Sequence, residues 1–74
     1  MNEEELLWKL GQRIKHLRES KKITQETIAF NLDTDRANIS RLESGRVNPK
    51  FTTLVNVAKE LEVSLQKLID IEYD

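Results

Sequence analysis

Arg36, Asn38 and Arg41 supply the side chains of this chain that are best suited to specific hydrogen bonding, and they lie close together in sequence. A guanidinium group presents N–H donors in a planar fork that matches the two acceptors of a guanine edge or the oxygens of a phosphate. A primary amide both donates and accepts, so it can pair with adenine or bind a phosphate. On an arbitrary helix, the ordinary interpretation of such residues is a solvated polar surface. The elements that carry them decide between the two interpretations.

These residues belong to a stretch that is typical of two short helices joined by a tight turn. Thr24 is a good N-cap for a helix over residues 25–32, and Asp35 is suited to cap a second helix over residues 36–44. Gly45 then provides the left-handed stop that such a helix often requires. The apolar residues expected to face inward and hold the helix pair at a fixed angle are Ile28, Ala29, Leu32, Ile39 and Leu42. The second helix is left free to project its polar side chains outward.

Three further helices are predicted as a scaffold for this pair. Asn2 followed by Glu5 resembles a capping box, which predicts a helix that ends near Ser20. The other two are predicted from Phe51 or Thr52 to Leu61 and over residues 65–69. Apolar stripes at helical spacing are formed by Leu7, Leu10, Ile14 and Leu17 in the first helix and by Phe51, Leu54, Val57, Ala58 and Leu61 in the fourth. The prediction is an all-α, five-helix fold in which residues 1–74 form a single domain.

Trp8 lies off the apolar stripe of the first helix. Gly11, three residues later, is expected to leave open surface beside the indole. Trp8 is therefore predicted to fill a groove, to meet another chain, or to be a partly buried amphipathic side chain.

The charge of the chain is segregated along the sequence. The net charge is −1 and the pI is about 5.8, which argues at first against a nucleic-acid partner. Residues 9–50, however, hold ten Lys or Arg against five Asp or Glu, whereas the two ends together hold two against eight. The central segment is basic, and the ends, including the tail 70–74, are acidic. This pattern focuses positive charge on one part of the molecule.

Composition excludes several classes of function. The chain has no cysteine and a single histidine, so it holds neither a disulfide nor a conventional zinc site, and a reducing cytoplasmic location is expected. Neither a nucleophile–base pair nor a glycine-rich phosphate loop is found, which argues against an enzyme and against a cofactor or small-molecule ligand. No apolar run approaches the roughly 18 residues of a membrane span. The predicted partners are therefore macromolecules.

An ordered set of motifs resembles the Cro and phage-repressor type of helix-turn-helix proteins, often called the XRE family. The motifs are LGQRI at 10–14, TQETIA at 24–29, ISRLESG at 39–45, Pro49 four residues after Gly45, and LEVSLQKL at 61–68. The resemblance covers most of the chain. Three positions depart from the usual pattern: Asp33 replaces a common glycine in the turn, Thr34 replaces an apolar residue, and Lys50 replaces a frequent capping serine. Because Asp tolerates the left-handed conformation, the turn is expected to survive at some cost.

The resemblance implies a role for each polar residue of the motif. Residues expected to face bases in the major groove are Arg36, Ala37, Asn38 and Arg41. Residues expected to contact the DNA backbone are Thr24, Gln25, Ser40, Ser44, Arg46, Asn48, Lys50 and Arg13. The amide of Gln25 is expected to reach a phosphate and brace the second helix of the motif. Arg18 and Glu43 are expected to form an ion pair that ties the first helix to the third.

The function that this resemblance implies is a transcriptional regulator that binds double-stranded DNA as a homodimer on a near-palindromic operator. The expected dimer surface is Leu65, Ile69, Ile71 and Tyr73, although intramolecular core is the alternative, above all for Leu65. Asp35-Arg36 followed by Ile39-Ser40 is similar to the controller proteins of restriction-modification systems. The alternative class is an antitoxin, which binds a toxin through a surface outside the motif, such as Trp8 or the acidic tail.

Overall fold

The computed structural model describes residues 1–73, which form five α-helices and no strand. The helices are α1 (Glu3–Ser20), α2 (Gln25–Asn31), α3 (Arg36–Glu43), α4 (Phe51–Glu60) and α5 (Leu65–Leu68). The predicted all-α, five-helix class is confirmed, and each helix ends within one residue of its predicted bound. The predicted acidic tail 70–74 ends at Asp74, which lies outside the described residues.

Most of the helices begin at a side chain that caps the first turn. In each, an oxygen accepts a hydrogen bond from the backbone N–H three residues on, at 2.8 to 3.1 Å. The capping residues are Asn2, Thr24, Asp35 and Ser64. These bonds satisfy donors that a helix leaves free at its start. Helix α4 instead follows Lys50, whose side chain makes no capping bond.

Helices α1 to α4 each end with one residue in the left-handed conformation. At the end of α2 this residue is Asp33, with φ of +56°. Its N–H donates to the carbonyl of Phe30 at 3.2 Å, and the N–H of Thr34 donates to the carbonyl of Ala29 at 2.9 Å, which is the Schellman pattern. The turn between α2 and α3 is therefore intact without glycine. The corresponding left-handed residues after α1, α3 and α4 are Lys22, Gly45 and Glu62.

The core lies where α1, α2, α3, α4 and α5 meet. Its buried apolar residues are Leu10, Ile14, Leu17, Ile28, Ala29, Ile39, Leu42, Val57, Ala58, Leu61 and Leu68. Leu32 and Leu54 are half-buried against this core. The prediction that Phe51 completes the core is wrong, because its side chain is 67% exposed. Helical spacing identifies the apolar face of α4 but does not say how far along that face the neighbouring helices extend.

Two glycines allow α1 and α3 to approach each other closely. A Cβ atom on Gly11 would lie 2.3 Å from the carbonyl oxygen of Glu43 and 2.7 Å from that of Leu42. A Cβ on Gly45, where φ is +76°, would lie 2.7 Å from the Cα of Trp8. The expectation of open surface beside Gly11 is therefore wrong, since the end of α3 rests directly on that part of α1. The Trp8 side chain itself is 54% exposed.

Candidate nucleic-acid interface

Helix α3 has one buried face and one exposed face. Ile39, Leu42 and Glu43 are buried, the last with only 3% exposure. The residues that the sequence predicts to face DNA are all exposed: Arg36, Ala37, Asn38, Ser40 and Arg41. The helix therefore presents a polar, partly cationic surface while its opposite side is held by the protein.

The carboxylate of Glu43 is the centre of a buried network that fixes the C-terminal end of α3. It accepts hydrogen bonds from Arg18 Nε at 2.6 Å, from Arg18 Nη2 at 3.0 Å and from Gln25 Nε2 at 2.8 Å. The remaining guanidinium nitrogen of Arg18 donates to the carbonyl of Ile23 at 2.8 Å. This network links α1, the segment after α1, α2 and α3 through one buried group. Such bidentate, charge-assisted pairing is directional and resists rotation of the helix.

The pKa of Arg18 is raised above its ordinary value, chiefly because the Glu43 carboxylate accepts its hydrogen bonds, although burial acts in the opposite direction. A raised arginine pKa adds stability at every pH below the ordinary value, and that stability is lost only above the raised one. The guanidinium therefore stays charged across the usable pH range.

Gln25 has a more specific position than the sequence alone indicates. Its side-chain nitrogen is directed at Glu43, so the bracing of α3 is an internal contact. No donor among residues 1–73 bonds to its side-chain oxygen. The expected contact between Gln25 and a phosphate stays a prediction.

The exposed N-terminal half of α3 carries its own hydrogen bonds. Asn38 Nδ2 donates to Thr34 Oγ1 at 2.6 Å, and Asn38 Oδ1 accepts a hydrogen bond from Arg41 Nη2. Arg36 Nε lies 3.7 Å from Glu26 Oε2, and both side chains are more than 60% exposed. Arg36 and Arg41 thus have different partners, one an exposed carboxylate on α2 and the other an amide on its own helix.

Six of the eight predicted backbone contacts, all except Gln25 and Ser40, fall into two groups. Arg46, Asn48 and Lys50 lie in the segment between α3 and α4, and their exposed side chains make no hydrogen bond within residues 1–73.

The other group of predicted backbone contacts already has intramolecular partners. Thr24 caps α2 at Thr27, and Ser44 Oγ donates to the carbonyls of Ser40 and Arg41. Arg13 Nε donates to the carbonyl of Lys67 at 3.0 Å. Arg13 is therefore held against the end of α5, apart from α3.

Positive charge dominates the segment from α3 to the start of α4. Residues 36–50 hold four basic residues, and Glu43 is their one acidic residue. Because Glu43 is buried and paired with Arg18, it contributes little negative charge to the surface. The basic segment seen in the sequence thus becomes a surface of exposed cations beside α3.

The residues expected at a dimer surface are split between the core and the surface. Leu65 and Ile71 are half-buried against the core, whereas Ile69 and Tyr73 are 42% and 77% exposed. An open apolar cleft of about 470 Å³ includes three of them, and it is lined by Met1, Leu6, Leu7, Leu10, Asn48, Ile69, Ile71 and Tyr73. Leu65 lies outside this lining. We call this surface the terminal cleft.

Residues 1–73 lack the features of two other classes of protein. None of the helices described there is long and apolar enough to cross a membrane. That part of the chain also holds no cluster of three or more His, Asp or Glu residues that could bind a metal ion.

Sequence reasoning missed two contributors to the geometry of the site. Gly11 sets the distance between α1 and α3, and a glycine inside an otherwise regular helix is the signal that points to such a close approach. Thr34, which replaces an apolar residue of the usual pattern, accepts a hydrogen bond from Asn38. No sequence signal predicts that bond, because it depends on the conformations of two side chains.

Comparison with known proteins places this geometry in a family. Residues 14–68 match the Helix-turn-helix family HTH_3. The chain is 33% identical over 63 residues to an immunity repressor protein of Bacillus phage phi105, which covers 85% of this chain and 44% of the repressor. It is 33% identical over 66 residues to the control protein C.MunI of a Mycoplasma species, which covers 86% of this chain and 89% of that protein. The chain spans about half the length of some curated relatives that it matches.

A crystal structure gives the same result at the level of the fold. The restriction-modification controller protein C.AhdI from Aeromonas hydrophila superposes with a TM-score of 0.79 and 34% sequence identity, covering 84% of this chain and 94% of that one. The five-helix fold, the exposed α3 and the family match over most of the chain all indicate the same family. The chain belongs to the helix-turn-helix family of DNA-binding transcriptional regulators of the Cro and phage-repressor (XRE) type.

Proposed function

We propose that this chain is a sequence-specific regulator that places α3 in the major groove of double-stranded DNA. The observation that carries the proposal is the two-faced character of α3. Its C-terminal end is fixed by the Arg18–Glu43–Gln25 network, while Arg36, Ala37, Asn38 and Arg41 are exposed on the other side. Groove entry requires such a helix, rigidly held and free of covering chain.

This surface makes two kinds of contact with DNA, one to base edges and one to the sugar-phosphate backbone. Arg36 and Arg41 each have the fork that pairs with guanine, worth about 1–3 kcal/mol of discrimination, and Ala37 is small enough to meet a thymine methyl. Arg46, Asn48 and Lys50 are exposed beside the helix and carry the backbone contacts, which position the protein and make affinity fall with salt. Thr24, Gln25, Ser40 and Ser44 add polar groups along the same path, and Arg13 adds least because its guanidinium already binds α5.

We further propose that the chain acts as a homodimer on a near-palindromic operator. One α3 covers only a few base pairs, and a second copy related by two-fold symmetry doubles the contacts. The terminal cleft supports this part of the proposal, because it groups apolar side chains at the surface, among them Ile69 and Tyr73. The near full-length matches to the control protein C.MunI and to the restriction-modification controller protein C.AhdI favour a restriction-modification controller over an antitoxin.

The experiment that tests DNA recognition is selection from random-sequence duplex DNA, followed by binding of the enriched duplex at several salt concentrations. We expect a motif with two-fold symmetry and an affinity that falls steeply with salt. Arg41→Ala should weaken binding to that duplex by about ten-fold or more. Lys59→Ala is the matched loss of one cation, at the opposite end of α4 from Lys50, and should change little. Failure of the wild-type protein to enrich any sequence at low salt would reject the proposal.

Sedimentation tests the dimer separately from DNA binding. Ile69→Asp places a charge in the terminal cleft and should convert a dimer to a folded monomer, with helicity checked by circular dichroism. Phe30→Asp is the matched control, because Phe30 is 84% exposed on α2 and lies outside the cleft. A folded Ile69→Asp protein that sediments as a dimer would remove this surface from the proposal.

A further inference from the structure

We infer that Asn38 is a positioning residue that, together with Thr34, holds the guanidinium of Arg41 in a fixed orientation. The base preference of Arg41 then depends on two side chains that need not touch the base. This inference rests on the proposed function, since it takes Arg41 to contact a base. It differs from the expectation that Asn38 itself contacts adenine or phosphate.

The geometry forms a continuous chain along the exposed face of α3. Asn38 and Arg41 are three residues apart on one face of α3, and Thr34 lies in the turn just before the N-cap Asp35. Thr34 Oγ1 accepts from Asn38 Nδ2 at 2.6 Å, and Asn38 Oδ1 accepts from Arg41 Nη2. The backbone of Asn38 is fixed as well, because its N–H donates to the Asp35 carboxylate at 3.0 Å.

The chemistry of the three groups fixes the direction of this chain. A guanidinium has donors but no acceptor, so the amide must turn its oxygen toward Arg41. The amide nitrogen then faces Thr34, which must accept. An apolar residue at position 34, the type usual in the family, has no group that accepts this bond. The departure at Thr34 thereby acquires a role, since its hydroxyl completes the support of Asn38.

Support of this kind matters because arginine is long and has many rotamers. Ordering such a side chain on binding costs conformational entropy, and holding it in place beforehand lowers that cost. Only one N–H of Arg41 is used in the bond to Asn38, so its other donors remain available for a guanine edge. Arg36 lacks comparable support, because its neighbour Glu26 is 3.7 Å away and both side chains are exposed.

The first test uses the free protein and therefore does not depend on DNA. Nitrogen-15 relaxation of Arg41 Nε should report an ordered side chain in the wild type and a clearly lower order parameter in Asn38→Ala and Thr34→Val. Valine keeps the branched shape of threonine and removes only the hydroxyl. Gln66→Ala, which removes an exposed amide on α5 that makes no hydrogen bond within residues 1–73, is the matched control and should leave Arg41 unchanged. Equal order in wild type and Asn38→Ala would overturn the inference.

The second test compares base preferences by selection from random-sequence duplex DNA with the wild type, Arg41→Ala, Asn38→Ala and the double variant. If Asn38 acts through Arg41, both single variants lose preference at the same base pair, Asn38→Ala by about three- to ten-fold, and the double variant resembles Arg41→Ala. Loss at different base pairs, with the double variant losing both, would show that Asn38 contacts its own base and would overturn the inference. If the wild-type protein enriches no DNA sequence, the proposed function itself is refuted. The positioning role of Asn38 toward a base is then refuted as well, even if the Arg41 side chain is ordered.

Discussion

At its C-terminal end, α3 is fixed by buried contacts to α1 and α2, whereas the polar side chains from Arg36 to Arg41 are exposed. Glu43 is 3% exposed, and its carboxylate accepts three hydrogen bonds from two side chains. Arg36, by contrast, has an exposed ion pair with Glu26 at 3.7 Å as its one side-chain partner within residues 1–73. The helix therefore separates two tasks along its length. The buried C-terminal end holds the helix rigidly and therefore tolerates few substitutions. The exposed side chains can be substituted without unfolding the protein.

The largest difference in stability is expected between variants of the buried ion pair Arg18–Glu43 and of the exposed ion pair Arg36–Glu26. Glu43→Gln leaves the buried Arg18 charge without its partner and should lower the free energy of unfolding by about 3–5 kcal/mol. Glu26→Gln makes the same chemical change in the exposed pair and should cost less than about 1 kcal/mol. Urea denaturation of both variants measures the two losses directly. A small loss for Glu43→Gln would mean that the buried network contributes little to the stability of the fold.

Gly11→Ala tests the same buried end through packing. Alanine in an ordinary helix is more stable than glycine by about 0.5–1 kcal/mol. At position 11 the new Cβ would meet the carbonyl oxygen of Glu43 at 2.3 Å, so the backbones of α1 and α3 must separate. We expect a net loss of about 1–3 kcal/mol, read as a lower thermal midpoint.

Lys15→Ala, at an exposed site of the same helix, is the control for Gly11→Ala and should stay within about 0.5 kcal/mol of the wild type. A stabilised Gly11→Ala protein would show that helix propensity outweighs the close approach of α1 and α3, contrary to the geometry.

The helices themselves could be predicted from the sequence because their signals are local. Cap residues and apolar spacing are properties of a few neighbouring residues, and they located all five helices of residues 1–73. Features that depend on distant elements were harder. Phe51 has the right spacing for the core but is the first residue of α4, where its side chain is left 67% exposed. Lys22 ends α1 in the left-handed conformation, and nothing local distinguishes it from the lysine before it.

The site was predictable in its composition and less so in its internal contacts. The resemblance to the Cro and phage-repressor type implied the pairing of Arg18 with Glu43, which spacing alone does not indicate across 25 residues. It did not indicate that the Gln25 amide bonds to the same carboxylate. Such contacts depend on side-chain conformations that are settled only when three helices meet.

The turns that enter and leave α3 provide the smallest and most discriminating test of the comparison. Asp33 and Gly45 occupy the same left-handed position after α2 and α3, with φ of +56° and +76°. Asp33→Gly removes the strain of a side chain in that conformation but adds freedom to the unfolded chain, so we expect a gain of only about 0.5 kcal/mol.

The matched change at the other turn, Gly45→Ala, has the opposite expected sign. It adds left-handed strain of about 1–2 kcal/mol and places a Cβ 2.7 Å from the Trp8 backbone. Thermal unfolding of both variants in one buffer measures the pair. If Asp33→Gly lowered the stability as much as Gly45→Ala, the turn before α3 would depend on the side chain of Asp33. That turn would then be held by tertiary contacts as firmly as the turn after α3. The difference between the two ends of the helix would disappear.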